Sequence, residues 1–341
     1  MSDNLRVGLI GAGNVAAHHV LAWQQTAGAD PVIVCRRDEA KAKEFAQKYD
    51  LQWTTDYKNL ILNKDVDIVD IVLPSGQHAD VGIEAAKAGK HVIVEKPIDV
   101  TLQKADDLID ACRDNGVSLG VISQYRFMDG SQKMYDVLAN NKLGDLVQGD
   151  AYIKWFRPQS YYDSGDWRGT WALDGGGPFM NQGIHLIDLL LSVMGPVKSV
   201  YARTKTLAHD IEVEDIGVAL LEFENGAFGV IEASTAIWPG LPARMDVHGT
   251  KGSLTIEGDK LTFLHVEGEE PMVVTDVDSG GASDPTDIDV TPFVRQFTDI
   301  VDAIQTGRQP LVSGEQARKP LELILAVYES SKKSIVIHLN E

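Results

Sequence analysis

Leu5-Arg-Val-Gly-Leu-Ile-Gly-Ala-Gly-Asn-Val-Ala16 is the stretch on which the fold turns. Residues 5–10 form a short apolar run, and a helical pattern follows from Asn14 to about residue 27. Between them Gly11-Ala-Gly13-Asn-Val-Ala16 has the spacing of a dinucleotide fingerprint, with Ala16 for the third glycine. The first glycine permits a tight turn, and the second lets backbone approach a pyrophosphate. The third small residue lets the helix pack on the strand. The phosphates would rest on the helix N-terminus, where unpaired N–H groups point outward. The plainer alternative is a tight turn with no ligand.

The same rhythm continues downstream. Strand-like runs at 31–35, 66–73, 91–95 and 118–123 alternate with helical patterns at 39–49, 78–88 and 102–115. These strands are nearly all apolar, as strands buried on both faces of a parallel sheet are. An α/β class follows, with an N-terminal Rossmann doubly wound parallel sheet over 1–123. After residue 123 the pattern changes. A helix is expected at 128–140, and strands at 147–155, 199–206, 213–223, 227–236 and 243–248. Shorter strands are expected at 252–256, 260–266 and 272–274, helices at 291–306 and 314–331, and a final strand at 334–339. Asn225-Gly226 is a hairpin signal. Residues 124–341 therefore read as a C-terminal α+β domain with a large, mostly antiparallel open sheet, for substrate binding and oligomerisation. The acidic, glycine-containing stretch 275–289 reads as a mobile loop.

The chain has 341 residues, enough for about two domains, and a formal net charge of −19. Such a surface repels polyanions, and no run of Lys or Arg long enough for a nucleic-acid or lipid patch occurs. Two cysteines, Cys35 and Cys112, cannot make a disulfide framework and suit a reducing compartment. No secretory leader pattern opens the sequence, and the most apolar helical stretch, 184–194, is too short to span a bilayer. A soluble cytoplasmic protein is expected.

Ligands of open α/β sheets sit beyond the carboxyl ends of the strands. Those ends carry Gly11, Gly13, Asn14 and Val15, then Arg36 and Arg37, Pro74 and Ser75, Glu95 and Lys96, and Gln124. With His78 they are the candidate cofactor-binding residues. The second strand ends in Cys35-Arg36-Arg37-Asp38, where an acid would bind an unmodified ribose. Arginine there suits a 2′-phosphate, so NADP is favoured over NAD. Asp38 is the alternative ribose ligand, and stacking of Arg37 on adenine would suit either cofactor.

At His91-Val-Ile-Val-Glu-Lys-Pro97 the sequence resembles the Gfo/Idh/MocA oxidoreductases, which include glucose–fructose oxidoreductase and inositol dehydrogenase. The resemblance extends through Leu73-Pro-Ser-Gly-Gln-His78-Ala and Asp174-Gly-Gly-Gly177 to Asn181, His185 and Asp188, and covers essentially the whole chain. It implies that Lys96 lies beside the nicotinamide and the reacting hydroxyl, that Lys96–Pro97 is cis, and that His185 is acid–base or hydroxyl-orienting. Many members have Asp where this chain has Asn181. Asn cannot take a proton and is expected to position substrate. Asn181 with Gln124-Tyr-Arg-Phe127 resembles the branch that oxidises sugar nucleotides at the 3-hydroxyl.

Asn181, His185 and Asp188 are spaced i, i+4 and i+7, so on one helix they make a polar stripe that needs partners. A substrate would supply them. Asp188 satisfying a core His185 is the alternative, and a metal is a minor one. Tyr161-Tyr162-Asp163 and Trp167-Arg168-Gly-Thr-Trp171 bring aromatics and an arginine suited to sugar rings and to hydroxyls or carboxylates. Arg126, Trp155, Arg168 and Asp188 are the substrate-binding candidates; Lys96, His185 and Asn181 are the catalytic ones. His18 and His19 are expected to be solvated or capping. The expected activity is NAD(P)-dependent hydride transfer to or from a sugar, polyol or sugar derivative, in a homodimer or homotetramer without nucleic-acid, membrane or metal partners. The alternatives are a UDP-sugar 3-dehydrogenase, a redox-neutral glycoside-cleaving enzyme that uses NAD, and a non-catalytic cofactor-sensing regulator.

Overall fold

The computed structural model describes residues 4–275 and 289–339. Apart from its two end residues, the expected loop at 275–289 lies outside the described residues. The chain runs β1 (Leu5–Ile10), α1 (Asn14–Trp23), β2 (Ala29–Cys35), α2 (Glu39–Tyr49), β3 (Gln52–Thr54), α3 (Tyr57–Ile61), β4 (Ile68–Ile71), α4 (His78–Lys87), β5 (His91–Val94), α5 (Leu102–Asp114) and β6 (Leu119–Val121). It continues with α6 (Asp129–Ala139), β7 (Leu146–Lys154), α7 (Gln159–Tyr162), α8 (Ile184–Met194), β8 (Val197–Lys205), β9 (Ile216–Phe223) and β10 (Phe228–Ser234). The last elements are β11 (Arg244–Gly249), β12 (Gly252–Glu257), β13 (Lys260–Val266), β14 (Met272–Val273), α9 (Thr291–Thr306), α10 (Gly314–Lys333) and β15 (Ile337–His338). Sequence periodicity passes over β3 and α3, which are too short to show a period.

The first compact unit holds residues 4–123 and 289–318. Its six strands are all parallel, in the order β3-β2-β1-β4-β5-β6. The order reverses between β1 and β4, which is the switch point of a doubly wound sheet. All four residues of β4 and all three of β6 are buried, as strands covered on both faces must be.

The segment 289–318 groups with this unit, whereas the sequence reading assigned it to the second domain. Packing explains the difference. Phe297 of α9 stacks on Trp23 at 3.9 Å between centroids. The Gln296 amide donates to the Val121 carbonyl and accepts from the Ser123 amide. An amphipathic pattern announces a buried face without saying which sheet covers it.

The second unit holds residues 124–275 and 319–339. Its nine strands run β14-β13-β12-β11-β7-β10-β9-β8-β15. All pairs are antiparallel except β7 with β10, which is parallel. Helix α8 is buried along its first seven residues. It approaches β7 closely because residue 149 is glycine: a Cβ there would stand 2.6 Å from the Met194 side chain. The face of β8, β9 and β10 turned away from the helices leaves Tyr201, Val218, Leu220 and Phe228 exposed. Among the described residues no helix is long and apolar enough to cross a membrane.

Candidate active site

The parallel strands of the first unit end at one level. Gly11 donates to the Cys35 carbonyl, Val72 to Ile10, Glu95 to Ile71, and Ile122 to Val94. The glycine turn after β1 and Lys96 after β5 therefore stand on the same carboxyl edge, with β4 between them. Gly11 has φ +111, and a Cβ on it would lie 2.1 Å from the Val72 carbonyl oxygen, so only glycine fits the turn. A Cβ on Gly13, by contrast, would meet nothing within 4 Å. No side chain caps α1 and no acid stands in its first turn. An open glycine, an uncapped helix start and the absence of a competing carboxylate fit a dinucleotide pyrophosphate.

The two glycines should separate on mutation. Gly11→Ala is expected to lower stability by roughly 1–3 kcal/mol from backbone strain alone, and to abolish tight dinucleotide binding. Gly13→Ala should leave the melting temperature within about 1 °C, yet weaken binding at least about tenfold by filling the space the phosphates need. Thermal melts and fluorescence titration with reduced nicotinamide dinucleotide check both.

Arg36 donates to the carbonyl of Ala12, which ties the end of β2 to the glycine turn. Arg37 is exposed. The Asp38 carboxylate accepts from the Lys41 amide at 3.1 Å as the N-cap of α2, which engages the alternative ribose ligand. Pro74 is half-buried and Ser75 buried at the start of the next turn. His78 is fully buried, with its ring nitrogens 2.8 Å from the carbonyls of Pro97 and Leu73. It holds the loops after β4 and β5 together. The Lys96–Pro97 peptide is cis, as the resemblance implies. Lys96 is half-buried, and its amide donates to Glu95 Oε2 at 2.9 Å.

His19, expected to be solvated or capping, has no exposed surface. Its Nδ1 stands 2.8 Å from Asp70 Oδ2 and its Nε2 3.0 Å from Glu95 Oε1. Trp23 Nε1 also donates to Asp70 at 2.8 Å. Two carboxylates on one ring require both nitrogens to carry protons. Burial opposes that charge, but Asp70 and Glu95 outweigh it and raise the pKa to about 10. The native state thus holds this proton more tightly than the unfolded chain. The stabilisation is complete below pH 6.5, the ordinary value, and is lost as pH rises through about 10. Denaturant unfolding should show stability falling over that interval in the wild type, with a flatter slope in His19→Gln.

In the second unit Asn181 precedes α8, which begins at Ile184, so the expected stripe along one helix is broken. Asn181 sits in a turn, its amide bonded to the Gly177 carbonyl and its Nδ2 donating to Asp174 Oδ1 at 2.5 Å. His185 is buried and stacks on Tyr125 at 5.0 Å between centroids. Asp188 pairs with Arg126: Nε and Nη2 each donate to a carboxylate oxygen at 2.6 Å. Arg126 and Asp188, both expected at the substrate, are occupied with each other, and they join the Gln124–Phe127 turn to α8. Gln124, expected at the cofactor, is buried in that turn. Trp155 is buried, with the Arg157 guanidinium 5.1 Å from its ring centroid.

Sequence reasoning missed the residue that shapes the Asn181 turn. Glu214, read there as part of a strand, is buried and accepts from the amides of Gly177 and Phe179 and from the Tyr328 hydroxyl. Burial pushes its carboxyl up to about 7, partly offset by those donors. The approach is close because residue 177 is glycine: a Cβ there would lie 1.8 Å from the Glu214 carbonyl oxygen. The only local sign was two acids, Glu214-Asp215, interrupting an apolar run. Neighbouring Asp215 gathers the amides of Leu207, Ala208 and His209. Both cysteines are buried, and burial pushes their thiols up, Cys35 to about 11 and Cys112 to about 12.

Two family models match along the chain. Residues 5–123 match the NAD-binding Rossmann fold of the GFO/IDH/MocA oxidoreductase family, and residues 131–255 match the family's C-terminal domain. D-xylose 1-dehydrogenase (NADP(+)) 2 of Haloferax volcanii is 26% identical over 98% of this chain and 99% of its own. D-apiose dehydrogenase of Paraburkholderia graminis is 24% identical over 97% and 88%. Among solved structures, the WlbA dehydrogenase of Bordetella pertussis, in complex with NADH and UDP-GlcNAcA, is 28% identical. It superposes with a TM-score of 0.89 over 100% of this chain and 99% of its own.

Proposed function

The chain belongs to the Gfo/Idh/MocA oxidoreductases, dehydrogenases acting on CH–OH groups, and from that premise we propose that it moves a hydride between a nicotinamide dinucleotide and a carbon of a sugar, polyol or sugar derivative. The observation that carries the reading is the glycine turn and Lys96 on one carboxyl edge of the parallel sheet. Gly11, Gly13, Asn14 and Val15 would hold the pyrophosphate, with Pro74, Ser75 and Glu95 on the same edge. The bound nicotinamide supplies the hydride acceptor or donor. Lys96 Nζ hydrogen-bonds the reacting hydroxyl and takes up its proton as the carbon is oxidised. His185 orients a hydroxyl or exchanges the proton with solvent, and Asn181 positions the sugar.

NADP is the proposed partner. Arg36 is anchored at the glycine turn, Arg37 is exposed nearby in sequence, and Asp38 is engaged at α2. NADPH should bind at least about tenfold more tightly than NADH, and Arg37→Ala should reduce that ratio. Equal affinities overturn the preference.

The test is a screen of the purified protein with both cofactors against polyols, aldoses, uronates and UDP-sugars, followed by absorbance of the reduced nicotinamide. Calorimetry that finds neither NAD(H) nor NADP(H) bound sinks the reading. Turnover of UDP-sugars alone would favour the second reading, a UDP-sugar 3-dehydrogenase, which Asn181 and the Gln124–Phe127 turn support. Release of an aglycone without net reduced cofactor would indicate a redox-neutral enzyme; binding without turnover would indicate a sensor. The exposed face of β8, β9 and β10 suits pairing into a homodimer or homotetramer, which light scattering measures. The buried thiols suit the cytoplasm.

A further inference from the structure

The loop after β7 carries Arg157 and Arg168 among three acids, Asp163, Asp166 and Asp174. Two arginines stand by one phenol. Arg168 Cζ is 4.3 Å from the Tyr161 ring centroid and Arg157 Cζ is 5.5 Å from it. Arg168 also lies 4.5 Å from the Trp167 ring centroid, and its Nη1 donates to the Tyr161 hydroxyl at 2.6 Å. Stacking on two rings and a hydrogen bond fix the guanidinium plane before any ligand arrives. Among the described residues, Arg168 makes no ion pair with a carboxylate.

Of the three acids on the same loop, Asp174 is engaged with amide groups. Asp174 gives Oδ1 to Asn181 and Oδ2 to the Gly169 amide. That same arrangement connects the arginine to the Asn181 turn, since Gly169 follows Arg168 directly. A second link runs through Gln182, whose Nε2 is 3.5 Å from the Tyr161 hydroxyl. Two further polar groups here are over nine-tenths buried and lack a hydrogen-bond partner: the Trp155 indole N–H and the Gln182 Oε1. A half-buried cation held rigid without a carboxylate partner is matched by an acceptor from outside.

We propose that Arg168, backed by Tyr161 and Trp167, binds an anionic group on the substrate, so that the sugar carries a carboxylate or a phosphoryl group. The proposal rests on the hydride-transfer reading and names its substrate class. A carboxylate or phosphate oxygen pair matches the guanidinium fork and neutralises it; a neutral hydroxyl leaves the charge uncompensated.

The test compares wild type, Arg168→Met and Arg168→Lys on D-glucose, D-glucuronate, UDP-glucose and UDP-glucuronate. Wild type is expected to prefer the anionic sugars by at least about tenfold in kcat/KM, and Arg168→Met to raise their KM at least about tenfold more than that of glucose. Arg168→Lys, which keeps charge without the fork, should fall between. Loss on glucuronate but not UDP-glucose identifies the carboxylate; the converse identifies the phosphoryl group. No anion preference in wild type, or equal loss on glucose and the anionic sugars, overturns the proposal. If no sugar is turned over, calorimetry of D-glucuronate and UDP-glucose with dinucleotide-loaded wild type and Arg168→Met decides it, and unchanged binding in the variant overturns it. Failure of dinucleotide binding itself would instead fall on the hydride-transfer reading. Should Arg168→Met not fold, the Arg168→Lys comparison carries the test.

Discussion

Lys96→Ala is expected to lower kcat by about 10³-fold while dinucleotide affinity stays within about threefold of wild type, the range typical of losing one acid–base group. Backbone bonds at this position do not use the side-chain amine. The Lys96 amide is bonded to Glu95 Oε2, and Glu95 to His19. Alanine should therefore keep the loop and remove only the amine. Lys96→Arg should not rescue the rate, because a guanidinium cannot give up its proton near neutral pH. Steady-state kinetics with the best substrate of the screen, alongside fluorescence titration of the reduced cofactor, provide the two readouts. A kcat within about tenfold of wild type would remove Lys96 from the chemistry.

The largest loss of stability is expected from Asp188→Ala. Asp188 is 2% exposed, and both oxygens receive the Arg126 guanidinium at 2.6 Å. Burial works against the Arg126 charge, and Asp188 more than restores it. Removing one partner strands the other, which typically costs about 3–5 kcal/mol. For a unit of this size that is a fall in melting temperature of roughly 10 °C. Replacing both, as Arg126→Met with Asp188→Leu, should recover most of the loss, because apolar side chains need no counter-ion. Calorimetric melts measure the stability. Activity of the double variant answers whether the pair also touches substrate: kcat/KM within about tenfold of wild type means that it only joins the Gln124–Phe127 turn to α8.

Much of the candidate site was legible because its signals are local. The Gly11 turn needs a backbone that only glycine adopts, and that requirement is written within six residues. Lys96 follows a strand whose apolar run already marked it as buried on both faces. The partners of His78, His19 and Asp188 were not legible, for one shared reason. Each is a polar residue at helical spacing, and such spacing says that a partner is needed without naming it. The partners lie far along the chain: Pro97 for His78, Asp70 and Glu95 for His19, Arg126 for Asp188. Glu214 escaped notice because a carboxylate in a strand looks like a solvated edge until the amides it receives are seen.

By itself, then, the order of residues determined the alternation of buried strands and helices, the glycine turn that opens α1, and the change of pattern after residue 123. Those properties depend on backbone dihedrals and on hydrophobic period, which neighbours in the chain decide. Only the tertiary structure decided which carboxylate each buried cation meets, that 289–318 packs with the parallel sheet, and that Asn181 stands in a turn ahead of α8. Charges removed from water take whatever counter-charge the packing brings within reach, and that choice is made across the fold rather than along the chain.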